Sequence, residues 1–459
     1  MSVDPVLSQI DDDLLPATER LKELLRIPSI STDPAYKNDC ETAADWLVAD
    51  LASIGFTAEK RATTGHPMVV AHGGEGGPHV LFYGHYDVQP VDPLDLWDRD
   101  PFDPVLEDTE KGQVIRGRGT SDDKGQLMTF VEACRAWTAV HGKLPFRITI
   151  FFEGEEESGS PSLIPFMKEN AEELKADVAL ICDTGLFDSV TPAITTMLRG
   201  LLGEEVIVTG PDKDLHSGMY GGAAMNPIRV LSNIIASLHD ENGRVTVPGF
   251  YEAVDELDPA VKAQWEALGF DAEGFLGAVD LSHPAGEQDR SALEMIWSRP
   301  TCEVNGITGG YTGDGFKTVL PSQARAKISF RLVGKQDPHA IRENFRAHVR
   351  AMLPPDCKVE FLSHGAAPAS VMALDNPAFE LARGALSDEW PREAAYVGSG
   401  GSIPIAGYFK TILDMDALLI GFGLDDDAIH SPNEKYDLRS FHKGTRSWAR
   451  VLAALNTSA

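Results

Sequence analysis

The sequence predicts an α/β protein in which a domain with a largely parallel sheet is interrupted by a smaller α+β domain. Apolar runs of strand length alternate with amphipathic helical stretches through the first part of the chain. Near residue 200 this alternation gives way to a strand-helix-strand-helix set, and it resumes after a turn-rich stretch near residue 366. We therefore predict a discontinuous α/β domain in two segments, 1–199 and 367–459, around an inserted domain at 200–366.

The first segment supplies four strand-length runs and two helices. The strands are predicted at 68–72, 79–87, 147–153 and 177–183. A helix over 41–54 places Leu47 and Leu51 on one face, and a helix over 122–140 turns Leu127 inward. Strands that alternate with helices in this way form mostly parallel sheets with helices on their faces.

The inserted domain has clear helix-start signals. Its elements are predicted as a strand at 205–209, a helix capped by Asn226 with Pro227 in its first turn, a strand at 324–334 and a helix opened by Asp337 and Pro338. The last segment returns to the earlier pattern at 375–386, 394–406 and 417–423.

Charge and cysteine content restrict the partners and the compartment. The chain of 459 residues has 40 basic and 70 acidic side chains, a formal net charge of −30, which repels nucleic-acid phosphates and anionic lipids. Its five cysteines are widely spaced and have no C-x-x-C pattern, so they favour a reducing compartment over a disulfide framework. The N-terminus lacks a basic, apolar leader and no window resembles a membrane span, so we expect a cytoplasmic protein without nucleic-acid or membrane partners.

A histidine and an aspartate end the strand predicted at 79–87. His85 and Asp87 are two residues apart, so on an extended segment both side chains point to the same side. Such a carboxylate can hold one imidazole nitrogen while the other nitrogen binds a metal. Alone, the pair is more typical of a hydrogen-bonded strand end.

Other acidic and histidine residues follow the remaining strands. Asp122 precedes a helix, the stretch 151–160 reads FFEGEEESGS, Asp183 ends a strand and His430 lies in a polar loop. Singly they resemble a helix cap, a solvated helix start and a surface histidine. Together they supply more nitrogen and oxygen ligands than one tetrahedral zinc needs, which suits two divalent ions that share a bridging carboxylate.

Seven motifs in register along nearly the whole chain then resemble one known family. They are GHYDVQP, GTSDDKG, FEGEEESGS, DLHSGMYGG, FRLV, GGSIP and IHSPNEKY. The chain resembles the dinuclear co-catalytic metallopeptidases that include carnosinases, cytosolic non-specific dipeptidases, aminoacylases and desuccinylases, and it is most similar to the dipeptidase branch. This resemblance implies a phosphorylase/hydrolase-like catalytic domain of the zinc-exopeptidase type. It also implies a ferredoxin-like lid that forms a homodimer, and two divalent metal ions per subunit, zinc or manganese.

The resemblance also implies roles for individual residues. The metal ligands would be His85 and Asp183 for one ion, Glu157 and His430 for the other, and Asp122 as the bridge between them. Asp87 would orient His85, and Glu156 would be the general base that takes a proton from the bridging water. Asp123, Glu153 and Glu155 receive no role and are interpreted as caps or supports.

Residues of the inserted domain and of GGSIP would contact the substrate. By the resemblance, His216 reaches into the partner's active site to stabilise the oxyanion and Arg331 grips the substrate carboxylate. Thr318 and Ser402 match further substrate-contacting positions. Ser399 stands where dipeptidases of this branch commonly have an acidic residue, which puts selection for a free amino terminus in question.

The resulting hypothesis is a dipeptidase that cleaves dipeptides through a hydroxide bridging two divalent metals. An N-acyl-amino-acid deacylase or a carboxypeptidase of the same family is the first alternative. A non-catalytic dimeric binding or scaffold protein is the second. A nucleotide-binding protein is disfavoured because the glycine-rich stretch 73–77 precedes a strand rather than opening a helix.

Overall fold

The computed structural model describes residues 1–401 and 403–456, which fold into two compact units. Unit 1 contains Met1–Thr196, Met372–Val397 and the described residues from Ile405 onward. Unit 2 contains Met197–Val371 and the short stretch Gly398–Pro404, which the sequence pattern assigns to the last segment of the α/β domain.

The strands are β1 (Thr57–Arg61), β2 (Met68–Gly73), β3 (His79–His85), β4 (Val105–Thr109), β5 (Gly112–Arg116), β6 (Arg147–Glu153), β7 (Val178–Ile181), β8 (Ala193–Leu198), β9 (Gly200–Thr209), β10 (Leu215–His216), β11 (Thr301–Gly309), β12 (Val319–Leu320), β13 (Gln323–Leu332), β14 (Lys358–Ala367), β15 (Ser370–Val371), β16 (Ala395–Ser399), β17 (Ala417–Leu419) and β18 (Lys435–Asp437). The α-helices are α1 (Asp4–Asp12), α2 (Leu14–Leu25), α3 (Lys37–Ser53), α4 (Lys124–His141), α5 (Leu163–Glu169), α6 (Ala171–Leu174), α7 (Ser217–Tyr220), α8 (Pro227–Ala236), α9 (Pro259–Ala267), α10 (Ala272–Gly277), α11 (Pro338–Ala351), α12 (Pro377–Glu389), α13 (Pro404–Leu413) and α14 (Leu438–Leu455).

The main sheet of unit 1 has the order β1-β2-β6-β3-β7-β17-β8, and β16 also pairs with β8. Its four central strands, β6, β3, β7 and β17, are parallel, and antiparallel strands extend both edges. The prediction of a mostly parallel sheet is therefore confirmed for these four central strands. Because parallel strands run in one direction, the carboxyl ends of β6, β3 and β7 lie side by side.

Aromatic side chains join the sheet to the helices that cover it. Phe82 of β3 stacks on Phe130 of α4 with ring centroids 3.9 Å apart, and Trp448 of α14 meets both rings edge-on. Leu127 of α4 is fully buried, as its predicted inward face requires. The helix begins at Lys124 rather than at residue 122, and Gly142 ends it with φ of +70°.

Unit 1 also contains a small antiparallel sheet that the sequence did not predict, with the order β18-β5-β4. It pairs Lys435–Asp437 with Val114–Arg116. This pairing joins the segment just before α4 to the segment just before α14.

Unit 2 is built on an antiparallel sheet with the order β11-β13-β9-β14, against which α8 and α11 pack. The side chain of Asn226 accepts the N–H of Ile228, and that of Asp337 accepts the N–H of His339, so both predicted helix caps are confirmed. The α+β character predicted for the inserted domain is likewise confirmed. Within the described residues, no helix is long and apolar enough to cross a membrane.

Candidate metal centre

The strand ends of unit 1 bring the predicted metal ligands to one edge of the sheet. His85 is the last residue of β3, and Asp183 follows β7 by two residues. Glu157 lies in a short 3-10 turn, Glu156–Ser158, that follows β6. Asp122 lies in the loop before α4 and His430 in the loop before β18.

These five side chains form two groups that share one carboxylate. His85, Asp122 and Asp183 form the first group, and Asp122, Glu157 and His430 form the second. Within each group the ligand atoms lie within 4.8 Å of one another. His85 Nε2 is 3.0 Å from one oxygen of Asp122, and His430 Nε2 is 3.0 Å from the other.

The chemistry of this cluster fits two cations. His85 Nε2 is buried, and its contact of 3.0 Å with Asp122 does not have hydrogen-bond geometry. Burial, with Asp122 nearby, raises the pKa of Asp183 well above its ordinary value, and hydrogen bonds to Asp122 and Glu157 raise the pKa of His430 to about 10. Buried carboxylates this close repel one another unless positive charge lies between them. Nitrogen and carboxylate ligands suit zinc and other borderline or hard divalent ions.

Asp87 contacts both sides of this centre. Its main-chain oxygen lies 3.1 Å from His85 Nδ1, and its carboxylate oxygen lies 3.4 Å from the same nitrogen. The two carboxylate oxygens accept the N–H groups of Glu156, at 3.3 Å, and of Glu157, at 3.1 Å. Asp87 therefore positions the glutamate pair as well as the histidine.

Glu156 is half-buried beside these acids and is bonded through its N–H to Asp87. Burial raises the pKa of Glu156 to about 7; the neighbouring Glu157, Asp87 and Asp122 add to this effect, and His85 opposes it. A carboxylate with a pKa near neutrality can both accept and return a proton.

The three acids without a predicted role all bind main-chain or phenol groups around the centre. Asp123 accepts the N–H of His85 at 3.1 Å. Glu155 accepts the N–H groups of His66 and Ser162, at 2.7 and 2.9 Å, and Glu153 accepts the hydroxyl of Tyr83 at 2.6 Å. None of the three belongs to either of the two ligand groups.

Two residues near the centre were not identified from the sequence. Gln89 donates its side-chain N–H to Glu157 at 2.7 Å, and its position four residues after His85 was the available signal. Glu434 is fully buried beside the loop of Asp122. It lies between Asn433 and Lys435, in a polar context that resembles a surface loop.

The predicted substrate-binding residues belong to unit 2 or lie outside the described residues. His216 is exposed in β10, and its Nδ1 accepts the N–H of Gly218 at 3.0 Å. Thr318 is also exposed, and its carbonyl accepts the N–H of Ser217, the residue that follows His216. Arg331 is half-buried in β13, opposite Thr301. Ser402 lies outside the described residues.

A family model and several known proteins match this chain. The model for peptidase family M20/M25/M40 matches residues 81–454. The Cys-Gly metallodipeptidase of Schizosaccharomyces pombe is 31% identical over 463 residues, which cover 97% of this chain and 97% of that protein.

Two solved structures are similar over nearly the full length. Human carnosine dipeptidase 1 has a TM-score of 0.81 and 27% identity, with 99% of each chain covered. The M20 family metallo-carboxypeptidase of Sulfolobus solfataricus has a TM-score of 0.82 and 30% identity, covering 96% of this chain and 99% of its own.

Proposed function

Because the chain belongs to peptidase family M20/M25/M40, we propose that it cleaves dipeptides with two divalent metal ions held by the two ligand groups described above. Membership in this family confirms the predicted resemblance and makes the chain a metal-dependent hydrolase rather than a scaffold protein. Relatives named as dipeptidases support the dipeptide substrate. The observation that carries the dinuclear proposal is that Asp122 belongs to both ligand groups.

We assign the ligands as the family resemblance does. His85 and Asp183 hold one ion, Glu157 and His430 hold the other, and Asp122 is shared. When bound, the ions would polarise the scissile carbonyl and lower the pKa of a water molecule. Zinc or manganese is the proposed metal, since both accept nitrogen and carboxylate ligands.

Glu156 is the proposed general base. It takes the proton of the attacking water and returns it to the amine that leaves. Its pKa of about 7 and the hydrogen bond that holds its backbone to Asp87 support this role. Asp87 keeps His85 and the glutamate pair in fixed relative positions.

The inserted domain and the GGSIP motif would supply the substrate contacts. We propose that Arg331 binds the carboxylate of the dipeptide, that His216 stabilises the oxyanion in the active site of a partner subunit, and that Thr318 and Ser402 contact the substrate. The homodimer and the cytoplasmic location belong to the same proposal. Light scattering with size exclusion tests the dimer.

The test of this proposal is the Glu156→Gln variant. It should bind two equivalents of Co²⁺ with the parental affinity, while kcat for a dipeptide falls about 100- to 10,000-fold, because only the proton acceptor is lost. Glu169→Gln, an exposed change in α5, is the matched control and should leave both quantities unchanged. A Glu156→Gln variant with a kcat within a few-fold of the parent would rule out this base.

A carboxypeptidase or N-acyl-amino-acid deacylase is the second candidate. It is favoured by the 30% identity to a metallo-carboxypeptidase and by Ser399, which offers a neutral hydroxyl rather than a carboxylate to a free amine. Rates for one dipeptide and its N-acetylated form separate the two activities. Faster cleavage of the free dipeptide supports the dipeptidase, and faster cleavage of the blocked form supports the second candidate.

A further inference from the structure

We propose that Glu434 is a positioning residue whose buried carboxylate fixes the loop of Asp122 relative to the loop of His430. The inference rests on the proposed dinuclear function, since it concerns the residue shared by both ligand groups. Glu434 itself faces peptide groups and an arginine rather than the ligand cluster.

The carboxylate of Glu434 is saturated by four donors from one loop. One oxygen accepts the N–H groups of Ser121, at 2.9 Å, and Asp122, at 3.1 Å. The other accepts the N–H of Gly119 at 3.0 Å and the guanidinium of Arg118 at 2.7 Å. Glu434 and Arg118 are both almost fully buried. This loop has no regular secondary structure, and a single side chain thus accepts three of its peptide N–H groups.

This arrangement reaches the proposed metal ligand directly. The N–H that Glu434 accepts belongs to Asp122 itself, so the hydrogen bond fixes the main chain from which the shared carboxylate extends. A shift of this main chain would move both oxygens of Asp122, and these oxygens face His85 and His430. A displacement of the Asp122 main chain would therefore affect both ligand groups together.

The loop of His430 needs an anchor because its backbone is strained. Ala428, His430 and Asn433 all have positive φ, of 56°, 61° and 63°. Residues other than glycine keep this conformation only where surrounding contacts impose it. Glu434 follows this stretch directly and Asp427 precedes it.

Asp427 provides the second attachment between the two loops. Its carboxylate accepts the hydroxyl of Ser121 at 2.7 Å and the N–H of Leu424 at 2.8 Å. Lys435 Nζ lies 2.7 Å from its other oxygen. Asp427 and Glu434 are both fully buried, so each end of the His430 loop is fixed to the Asp122 loop by a buried carboxylate.

A purely structural role for Glu434 gives a different expectation. In that case its loss would lower the stability of unit 1 and leave the affinity and the ligand geometry of the folded site unchanged. A positioning role alters the metal site itself, because outer residues that hold ligands typically change metal affinity by about 10- to 100-fold.

The test is a Co²⁺ titration of the Glu434→Gln variant, followed by visible absorption. Glutamine has the same shape, but its NH₂ group would face two of the N–H donors. We expect Co²⁺ to bind at least about tenfold more weakly with altered absorption bands, at a temperature where circular dichroism shows a folded protein. Asp426→Asn is the matched control, because Asp426 lies in the same loop but pairs with Lys111 and Lys435 at the surface. It should titrate like the parent.

Parental affinity and parental bands in Glu434→Gln would overturn the proposal. If Glu434→Gln does not fold, Glu434→Asp, which keeps the charge but shortens the side chain, should fold and show the same weakened binding. Hydrogen exchange of the metal-free parent gives a variant-independent measurement: the amides of Gly119, Ser121 and Asp122 should be protected, and unprotected exchange would also overturn the proposal. A parent that fails to bind two equivalents of Co²⁺ would instead refute the proposed function.

Discussion

Asp87 and Glu155 illustrate, at the scale of single residues, how this centre keeps its acids in place. In each of them, both carboxylate oxygens accept hydrogen bonds from peptide N–H groups of neighbouring segments. A carboxylate accepts hydrogen bonds without donating any, so it can saturate two converging N–H groups that an amide would meet with a donor. Asp87 and Glu155 therefore serve as acceptors for the main chain around the ligand groups.

The Asp87→Asn variant tests this reasoning. Its NH₂ group would face the N–H of Glu156 or Glu157, so we expect kcat/KM for a dipeptide to fall about 10- to 100-fold and Co²⁺ affinity to weaken. Asp108→Asn, which alters an exposed acid bonded to Gln113, should leave both unchanged. Parental kcat/KM in Asp87→Asn would contradict the positioning role.

The convergence of His85 and Asp183 at one edge of the sheet could be predicted from the sequence, because each stands at the end of a recognisable strand. The rule that parallel strands share a functional edge then brings them together. Glu434 could not be predicted in this way. Its hydrogen-bond donors lie more than 300 positions away in the chain, and the polar residues next to it in the sequence do not indicate that Glu434 is buried.

At the scale of elements, the start of α4 depends on a glycine. A Cβ atom on Gly125 would lie 1.8 Å from the carbonyl oxygen of Thr120, in the loop that carries Asp122. Main-chain atoms cannot rotate away as a side chain can. The close approach lets the loop turn directly into the helix.

Gly125→Ala should therefore destabilise the protein by about 1–3 kcal/mol and weaken Co²⁺ binding, because the loop has to shift. Gly384→Ala is a matched control within α12, where a Cβ atom would meet no neighbour. This control should gain about 0.5–1 kcal/mol, since alanine is the better helix former. Urea unfolding measures both changes, and equal stability of the two variants would contradict the argument.

The packing of α14 on α12 depends on Glu389. Burial acts to raise the pKa of Glu389, but hydrogen bonds from Arg446, Arg450 and Lys443 outweigh burial and lower it. Its stabilising effect is therefore fully present above the unfolded pKa of about 4.3 and is lost as the pH falls through the lower folded pKa.

Glu389→Gln should lower the free energy of unfolding by about 3–5 kcal/mol at pH 7, because three cations lose their buried partner. The difference from the parent should shrink below about pH 4. Unfolding in urea at the two pH values measures this change. Glu19→Gln, at an exposed pair with Lys22, should cost at most about 1 kcal/mol at either pH. A loss in Glu389→Gln that is independent of pH would be inconsistent with the ion cluster.

The central strands and the helices α3, α4, α8 and α11 were predictable from apolar periodicity and capping residues. The sheet β18-β5-β4 was not, because its strands have only three to five residues and include the polar run Lys435–Asp437. Its existence depends on pairing between distant segments. Local propensity therefore could not reveal it.

At the scale of the whole molecule, the charge of −30 acts against compactness. Raising NaCl from about 0.02 M to about 0.3 M should raise the midpoint of thermal unfolding by a few degrees, because added salt screens the repulsion between carboxylates. The same series near the isoelectric point should show a much smaller effect. A midpoint that falls with salt at neutral pH would contradict this expectation.

The change in the pattern of predicted strands and helices near residue 200 was enough to predict the inserted α+β domain. The stretch Gly398–Pro404 groups with unit 2, and no periodicity in this glycine-rich sequence indicated that assignment. The assignment of such a short stretch to a unit depends on three-dimensional contacts, which a pattern along the chain does not contain.

The interrupted course of unit 1 also affects its biosynthesis. Asp183 leaves the ribosome roughly 250 residues before His430, which at 5–20 residues per second is a delay of roughly ten to fifty seconds. During that interval the nascent chain exposes four of the five proposed ligands without the fifth. Translation therefore delays assembly of the full ligand set until the inserted domain has been made.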